Sequence, residues 1–363
     1  MKVLLIYHSL GMGGVGSVVA NMVNHWGANG ADITLALFAE KNAPRHQVIH
    51  PNVRIIFMDL FAEPASSLDR IMKACQRHLK LRQTIKRLAP DVIVSHVDTV
   101  NIRVLLASVG LGIPVVAFEH TDPSHYALAP LWEWLRRQIY RFAARVVVLN
   151  QSVRDYFLRY PGPPTVEVFP NPIPLPEFPL TIERQTSVLY LGRLSEEKGV
   201  ALLLHAFALA ATGDWKLVLA GDGPERANLE ALADDLSITN RTIFLGMVKE
   251  VPALLFSASI FALPSKLEGF PMALGEAMSC GLPPVVTATS GALGLVQDGR
   301  NGLISPVGDA PALGRNLARL MADAQLRCEM GKAAQDIRKV VGVEAVMARW
   351  DTLLTQLSSR HGS

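Results

Sequence analysis

Residues 264–281 read PSKLEGFPMALGEAMSCG and follow a short apolar run, Ser259 to Leu263, that is typical of a buried strand. A loop with Glu268 and Gly269 leads to Pro271, where we predict that a helix begins. Proline suits the first helical position, because the amide that it lacks would have no partner there. This succession of strand, loop and helix recurs along the chain and sets its fold class.

On the predicted helix, Glu276 shares a stripe with Ala273, Ala277 and Cys280, at the spacing of one helical face. A carboxylate among small apolar residues costs free energy unless other groups donate hydrogen bonds to it. The hydroxyls of a sugar are suitable donors. Glu268 and Glu276, with free amides between them, therefore suit a sugar and its ribose diphosphate. Two solvated glutamates are an equally good interpretation of this segment alone.

The chain has 363 residues, half of them hydrophobic, and this length favours two domains. Its net charge of +3 is uneven, because residues 1–180 hold 18 Lys and Arg against 13 Asp and Glu. The excess lies in one segment with helical spacing and no acid. Its cations are Arg70, Lys73, Arg77, Lys80, Arg82, Lys86 and Arg87.

Two interpretations of this basic segment stay open. It is either a solvated face or a surface for anionic membrane or a diphosphate-linked lipid, since each cation near acidic headgroups gains about 1 kcal/mol. Nucleic acid is not expected as a partner, because neither interleaved aromatic residues nor a known binding module accompany the charges.

Cys75, Cys280 and Cys328 are scattered, which fits a reducing compartment and argues against a disulfide framework or a zinc site. The apolar run at Met1 to Tyr7 is too short for a signal peptide, and no apolar stretch has the length of a bilayer span. We therefore expect a cytoplasmic protein, with peripheral attachment to the cytoplasmic face of the membrane as a further possibility.

Short, continuous apolar runs alternate with helical segments throughout. Those of the first half are Val3–Tyr7, Ile33–Phe38, Val53–Met58, Val92–Ser95, Val115–Phe118 and Val146–Leu149, and those of the second half are Val188–Leu191, Lys216–Ala220, Thr242–Leu245, Ile260–Leu263 and Val285–Thr287. Such runs predict parallel sheets covered on both faces. Between the halves, Pro161 to Pro179 is rich in proline and predicts a boundary, since proline continues neither a helix nor a central strand. We expect two doubly wound domains that bind ligands in a cleft at the carboxyl ends of their strands.

The segment Gly11 to Gly16 matches the dinucleotide pattern G-x-G-x-x-G, with Glu40 as a ribose ligand. The match is weak, because several residues separate the first strand from the glycines. A glycine-rich loop before a helix at Ser17 still presents amides to an anion, and a flexible turn is the plain alternative.

Basic and polar residues follow several predicted strands. Arg193 offers a planar fork for phosphate oxygens, and Lys198 offers a compact charge at a helix start. Taken alone, Lys198 more simply pairs with Glu196 or Glu197. His120 comes just after the strand Val115–Phe118, which makes it a candidate for polar catalysis. The segment Gly221 to Glu225 predicts a capped helix start.

Several motifs recur in the order and spacing of one enzyme family. They are Gly13-Gly14, Glu119-His120, Asn171-Pro172, Gly192-Arg193 with Lys198-Gly199, Gly221-Asp222-Gly223-Pro224-Glu225, Glu268-Gly269-Phe270-Pro271-Met272 with Glu276-Ala277-Met278, and Asp298-Gly299 with Asn301-Gly302-Leu303. The chain thereby resembles family 4 glycosyltransferases, retaining enzymes of the GT-B fold, and most of all those that build bacterial surface polysaccharide, lipopolysaccharide, exopolysaccharide or lipid-linked oligosaccharide. The resemblance spans nearly the whole chain.

The resemblance implies roles for individual residues. Arg193 and Lys198 would hold the donor diphosphate, and Glu276 would bind the ribose hydroxyls. His120 and Glu268, the implied catalytic residues, would contact the donor sugar. The implied donor-binding residues are Gly13, Gly14, Arg193, Lys198, Gly269, Phe270, Pro271, Met272 and Glu276. Gly294 is a departure, because many members carry a glutamate there.

We therefore expect a glycosyltransferase that moves a hexose or N-acetylhexosamine, with retention, from a nucleotide-sugar, in particular a UDP-sugar, to a glycan or lipid-diphosphate-linked acceptor. Residues 1–170 would form an acceptor-side domain, 171–340 a donor domain, and 341–363 a helix packed back on the first. No cofactor or metal is expected, since the chain has no Asp-x-Asp motif. The rivals are a nucleotide-sugar epimerase of the same fold and a non-catalytic binding partner.

Overall fold

The computed structural model describes residues 1–11, 13–60, 67–160, 165–179, 181, 183–210 and 213–359, without the side chains at positions 67, 68, 70 and 71. The chain divides into two compact units. Unit 1 comprises Met1–Pro172 and Val343–Ser363, and unit 2 comprises Ile173–Gly342.

Each unit contains one sheet whose strands all run parallel. The strands of unit 1 are β1 (Lys2–Tyr7), β2 (Asp32–Leu37), β3 (Arg54–Phe57), β4 (Val92–His96), β5 (Val115–Phe118), β6 (Arg145–Val148) and β7 (Val166–Val168). Those of unit 2 are β8 (Ser187–Leu191), β9 (Lys216–Ala220), β10 (Thr242–Gly246), β11 (Ile260–Leu263), β12 (Pro284–Thr287) and β13 (Leu303–Ser305). Their order across the sheets is β3-β2-β1-β4-β5-β6-β7 and β10-β9-β8-β11-β12-β13.

Helices form most of the crossover connections that parallel pairing requires, whereas β2 and β3 are joined by a loop without a helix. Along the chain they are α1 (Gly14–Ala28), α2 (Ser67–Leu88), α3 (Asp98–Ser108), α4 (Pro130–Ile139), α5 (Gln151–Phe157), α6 (Val200–Ala210), α7 (Arg226–Asp235), α8 (Val251–Ser257), α9 (Met272–Ser279), α10 (Ser290–Leu293), α11 (Ala310–Ala322), α12 (Ala324–Ala334), α13 (Arg338–Val341) and α14 (Val343–Ser359). Among the described residues, no helix combines the length and apolarity of a bilayer span.

The cores explain why the strand sequences are continuously apolar. Along β8, Val188 and Tyr190 belong to one buried cluster of unit 2, whereas Leu189 belongs to the cluster on the opposite face. In unit 1, the buried side chain of Trp350 on α14 packs against Phe118 with ring centroids 5.3 Å apart. Both faces of the central strands therefore bury side chains, as predicted, whereas the edge strands β3 and β10 are partly exposed.

Every predicted apolar run coincides with a strand of the described residues, with each end shifted by at most one position. Two short strands, β7 and β13, were not predicted. The first lies inside the proline-rich boundary, where it pairs with β6 alone at the sheet edge, a position at which neighbouring prolines are tolerated. Residues 161–164 of that boundary lie outside the described residues.

Strand order fixes where polar loops meet. In unit 2 the chain runs outward from β8 to β9 and β10, then returns to place β11 on the other side of β8. In unit 1 the chain likewise runs outward from β1 to β2 and β3, then returns to place β4 on the other side of β1. Ligands of open α/β sheets bind at such a reversal, beside the carboxyl ends of the strands.

Candidate functional site

The loops that follow β8 and β11 touch at the reversal of unit 2. Gly199 has a φ of +65°, and a Cβ at this position would lie 2.3 Å from the carbonyl oxygen of Pro264. Only glycine allows this approach. The amide of Lys266 also donates to the carbonyl of Glu197, at 2.9 Å. The sequence motifs after the two strands are therefore parts of one structure.

Lys198 and Glu268 form an ion pair across these loops. The distance from Lys198 Nζ to Glu268 Oε1 is 2.8 Å, and the hydroxyl of Ser265 donates to the same oxygen, also at 2.8 Å. Glu268 is buried, and its Oε2 receives no hydrogen bond from the described part of the chain. One carboxylate oxygen is thus fixed, and the other is left for a ligand.

The simple expectation that Lys198 pairs with Glu196 or Glu197 is wrong. Glu196 pairs instead with Lys266, and Glu197 accepts a hydrogen bond from the hydroxyl of Ser195. Because both glutamates have other partners, Lys198 pairs with Glu268 in the loop after β11.

Arg193 follows β8 and lies at the same edge of the unit 2 sheet as Lys198. The Tyr190 hydroxyl donates to the Arg193 carbonyl at 2.8 Å, which holds the backbone, while the side chain is exposed. It makes no hydrogen bond or salt bridge to any described residue. A planar cation in this state is suited to bind phosphate oxygens.

The turn after β9 packs closely against the loop that contains Arg193. A Cβ on Gly221 would lie 1.9 Å from the Gly192 carbonyl oxygen, and one on Gly223 would lie 2.2 Å from that of Leu194. The expected helix start is confirmed, because α7 begins at Arg226, but the Glu225 side chain makes no capping bond to it. The glycines are needed for close backbone contact.

Helix α9 begins at Met272, directly after Pro271, and none of the described side chains caps its first turn. The carbonyl of Pro271 accepts hydrogen bonds from Leu274 and Gly275. Pro271 has no amide hydrogen, so of residues 270–272 only Phe270 and Met272 have a backbone N–H that can donate to a ligand. The predicted donor segment thus offers two amides and the positive end of a helix.

Glu276 lies one turn into α9, next to Leu274 and Ala277, which are fully buried. Its carboxylate is partly buried and receives no hydrogen bond from the described residues. Burial raises its pKa above the ordinary value of 4.5. The unpartnered carboxylate expected from the apolar stripe is therefore present.

The loop of Glu268 is also fixed by α10. The Glu268 carbonyl accepts from the Gly291 amide at 2.9 Å and from the Ser290 hydroxyl at 3.2 Å. Gly294 follows α10 directly and is exposed.

In unit 1, Gly13 and Gly14 lie between β1 and the body of α1. The helix begins at Gly14, three residues before the expected start at Ser17. Gly13 has a φ of +144°, and no described atom would lie within 4 Å of a Cβ on either glycine. The helix start is thus open, and it has neither a side-chain cap nor an acid in its first turn. Met12 of this motif lies outside the described residues.

His120 follows β5 and is buried, with 8% of its surface exposed. Its Nε2 lies 2.9 Å from Nδ1 of His96, the last residue of β4. Burial lowers the His120 pKa to about 3. The ring is therefore neutral at physiological pH and acts as a polar group without charge. Sequence analysis overlooked His96, although its position at a strand end was the signal used for His120.

Glu119 precedes His120 and is fully enclosed. Its Oε1 accepts hydrogen bonds from the Tyr140 hydroxyl and from Asn101 Nδ2. Burial raises its pKa from 4.5 to about 7, and the nearby charge of Arg136 opposes that rise. This residue of the motif is thus directed into the protein, away from solvent.

Within the described residues, no group of three or more His, Cys, Asp or Glu is arranged to hold a metal ion. The predicted site residues form two sets. Unit 2 brings together Arg193, Lys198, Glu268 and the start of α9, and unit 1 contains His120 and the glycine loop.

Comparison with known proteins identifies the family of the chain. Residues 12–176 match the family described as Glycosyltransferase Family 4, and residues 176–337 match Glycosyl transferases group 1. The chain belongs to glycosyltransferase family 4. It is therefore an enzyme that transfers glycosyl groups, as its motifs predicted.

Two curated relatives of this glycosyltransferase cover most of both chains. The GalNAc-α-(1→4)-GalNAc-α-(1→3)-diNAcBac-PP-undecaprenol α-1,4-N-acetyl-D-galactosaminyltransferase of Campylobacter jejuni is 29% identical over 80% of this chain and 81% of that protein. The UDP-Gal:α-D-GlcNAc-diphosphoundecaprenol α-1,3-galactosyltransferase of Escherichia coli is 24% identical over 80% of each.

Solved structures confirm the fold of the family 4 enzyme. HepE of Anabaena in complex with UDP has a TM-score of 0.83 at 22% identity, over 98% of this chain and 100% of that chain. Sucrose-phosphate synthase from Thermosynechococcus elongatus has a TM-score of 0.81 at 20% identity, over 99% of each. The chain thus has the predicted GT-B architecture.

Proposed function

We propose that this glycosyltransferase moves a hexose or N-acetylhexosamine from a UDP-sugar to a lipid-diphosphate-linked glycan, with retention at the anomeric carbon. The observation that carries the proposal is the constellation of Arg193, Lys198 and Glu268 at the strand reversal of unit 2. The names of two relatives support the lipid-linked acceptor, since each specifies an undecaprenol diphosphate.

The cations act on the leaving group. As the bond from the anomeric carbon to the diphosphate breaks, negative charge builds on the diphosphate oxygens. Arg193 and Lys198 stabilise that charge, together with the amides of Phe270 and Met272 at the start of α9. Lys198 is held by Glu268, so its ammonium group is oriented before the donor arrives.

The carboxylates bind hydroxyl groups. Glu276 has no donor of its own among the described residues, and the ribose hydroxyls of UDP would supply two. Glu268 keeps Oε2 for a hydroxyl of the transferred sugar. Both assignments use oxygens that the protein leaves unsatisfied.

His120 contacts the transferred sugar as a neutral imidazole. Positive charge develops at the anomeric carbon while the acceptor hydroxyl attacks from the leaving-group face. A protonated histidine would oppose that charge, whereas burial keeps His120 neutral. The histidine therefore serves as a hydrogen-bond partner.

Helix α2 brings unit 1 to anionic membrane. The side chains of Lys80, Lys86 and Arg87 are exposed, beside Met72 and Leu79, which are 58% and 54% exposed. Cations beside exposed apolar side chains suit an acidic lipid surface.

Two of the seven predicted cations serve the fold instead. Lys73 pairs with Asp69 at 2.8 Å, and Arg82 donates to the carbonyls of Ala107 and Val109 at 2.8 Å each. The side chain of Arg77 is half-buried, and that of Arg70 lies outside the described residues. The proposed membrane surface is accordingly restricted to the exposed cations of α2.

A substrate panel tests the reaction. The purified enzyme is incubated with UDP- and GDP-sugars and with synthetic lipid-diphosphate glycans, and products are identified by mass spectrometry and by NMR of the new anomeric centre. We expect transfer from a UDP-sugar with the donor configuration retained. Conversion of the donor sugar without acceptor would instead identify an epimerase, and an inverted product would refute retention.

Vesicle sedimentation tests the membrane surface. Charge reversal of Lys80, Lys86 and Arg87 to glutamate should abolish binding to vesicles of phosphatidylglycerol, while turnover on a short soluble acceptor persists. The matched control reverses three exposed cations of unit 2, namely Arg315, Arg319 and Lys332. Equal binding by both triple variants would show that α2 is only a solvated face.

A further inference from the structure

Two histidines meet at the carboxyl edge of the unit 1 sheet. The register of the neighbouring strands β4 and β5 aligns His96 with Phe118, and His120 lies two residues further on. His96 Nδ1 and His120 Nε2 are 2.9 Å apart, and the two rings are inclined by only 19°. The ring centroids are 5.2 Å apart, close to the N···N distance plus the two centroid-to-nitrogen distances, so the N···N line lies near both ring planes, where a nitrogen lone pair is directed.

The bond fixes the chemistry of the remaining nitrogens. Burial lowers the pKa of both histidines, and the charge of His120 further lowers that of His96. Each neutral ring has one N–H and one lone pair. Since the shared bond contains one proton, one of the outer nitrogens, His96 Nε2 and His120 Nδ1, is a donor and the other is an acceptor.

Both outer nitrogens are buried and have no hydrogen-bond partner among the described residues. His96 is completely enclosed, with its ring 5.4 Å from Phe118 and 6.1 Å from Tyr7 between centroids. His120 retains a small exposed fraction. Of the two nitrogens without a partner, Nδ1 of His120 therefore belongs to the residue that is nearer the surface, although the atom itself is covered in the ligand-free enzyme, and Nε2 of that ring is already bonded to His96.

We propose that His96 is a positioning residue, which holds His120 through Nε2 and so makes Nδ1 the atom that His120 offers to the transferred sugar. The inference rests on the function proposed above, in which His120 contacts that sugar. It adds a partner that sets the tautomer and the ring orientation of His120.

Three substitutions of His96 test whether His120 needs a hydrogen-bond partner at the position of Nδ1 or only a polar side chain nearby. His96→Asn keeps a polar atom where Nδ1 lies, so either an amide N–H or a carbonyl can bind His120. His96→Gln carries the same amide one methylene further, at the position of Nε2, and His96→Leu removes the bond. We expect His96→Gln and His96→Leu to lower kcat about 10- to 100-fold through misplacement of His120, with a smaller change in KM. We expect His96→Asn to stay within about threefold of the wild type.

A second measurement does not depend on activity. In enzyme labelled with ¹⁵N-histidine, long-range ¹H–¹⁵N correlation reports the tautomer of His120, and the His120→Ala variant assigns its signals. We expect one neutral tautomer in the wild type, and a mixture in His96→Gln and His96→Leu. If His96→Leu does not fold, as judged by circular dichroism and UDP binding, the Asn and Gln pair decides the test.

The outcomes are distinguishable. If the His120 tautomer and kcat are unchanged in His96→Gln while His120→Ala is inactive, His96 does not position His120 and the proposed function stands. If the tautomer changes but both His96→Gln and His120→Ala keep normal turnover, His120 has no part in transfer, and both this inference and that role are wrong.

Discussion

Replacing Glu276 by glutamine should stabilise the ligand-free enzyme. The carboxylate is partly buried on α9 without a hydrogen-bond donor among the described residues, and burial raises its pKa. The ionised form therefore costs free energy in the folded state. Glutamine has nearly the same shape and helix propensity as glutamate, so Glu276→Gln removes the charge and changes little else.

The magnitude follows from the unmet hydrogen bonds. An unsatisfied buried polar group costs about 1–3 kcal/mol; because Glu276 is only partly buried, we expect a gain near the lower end, about 1 kcal/mol, or about 2–4 °C in Tm for a unit of this length. A group whose folded pKa is raised loses stability as pH rises through that pKa. The advantage of Glu276→Gln should therefore be largest near pH 8 and vanish near pH 4.

Binding should change in the opposite direction. Hydrogen bonds to a charged group are worth about 1.5–3 kcal/mol, against about 0.5–1.5 for neutral ones. The loss of charge at Glu276 should thus weaken UDP binding about 5- to 10-fold. Higher stability combined with lower affinity is the signature of a residue kept for its ligand.

Glu268→Gln is the matched control. Its carboxylate already receives bonds from Lys198 and Ser265, so removal of its charge should destabilise the ligand-free protein. Urea unfolding and calorimetry with UDP measure both variants. If Glu276→Gln is no more stable than the wild type at pH 8 and binds UDP equally well, the carboxylate is simply solvated and the ribose assignment is wrong.

Four further outcomes are expected. Arg193→Ala and Lys198→Ala should each lower kcat about 10²- to 10³-fold through loss of a donor to the departing diphosphate; near-normal turnover in both folded variants would refute that role. Turnover should survive excess EDTA in a metal-free buffer, and its loss, restored by a divalent cation, would contradict the metal-independent mechanism. Because burial raises the Glu119 pKa from 4.5 to about 7, the wild type should lose about 2–3 kcal/mol of stability from this group between pH 5 and pH 8; Glu119→Gln should lack that decline, and parallel urea-unfolding profiles would exclude the shift. Gly199→Ala should destabilise the enzyme more than Gly30→Ala in thermal unfolding, since both glycines have positive φ but only Gly199 lacks room for a Cβ.

The sheets could be predicted from sequence because their strands are buried on both faces. The runs Val115–Phe118 and Ile260–Leu263 coincide with β5 and β11 at both ends. Strands β7 and β13 have only three residues each. At that length an apolar pattern cannot be distinguished from a loop that packs on the core, so tertiary pairing alone defines them.

The candidate site residues could be selected from the sequence, but their partners in the structure could not. Lys198 has acidic neighbours two and one positions before it, yet it pairs with Glu268, 70 positions away. His96 and His120 are 24 positions apart and meet because β4 and β5 are neighbours in the sheet. Partner choice depends on strand order, which local sequence does not contain.

The two strand reversals hold different chemistry, and the difference matches the two charges that develop in glycosyl transfer. The edge of unit 2 has two cations, one of them oriented by a carboxylate, next to an open helix start. Such a set stabilises the negative charge that accumulates on a departing diphosphate. The edge of unit 1 has two histidines that burial keeps neutral. A neutral ring can hydrogen-bond to a sugar without opposing the positive charge at its anomeric carbon. Replacing His120 by lysine, which is permanently charged, or Lys198 by a neutral residue should therefore raise the free energy of the transition state. Turnover should fall in both variants, even where the donor still binds.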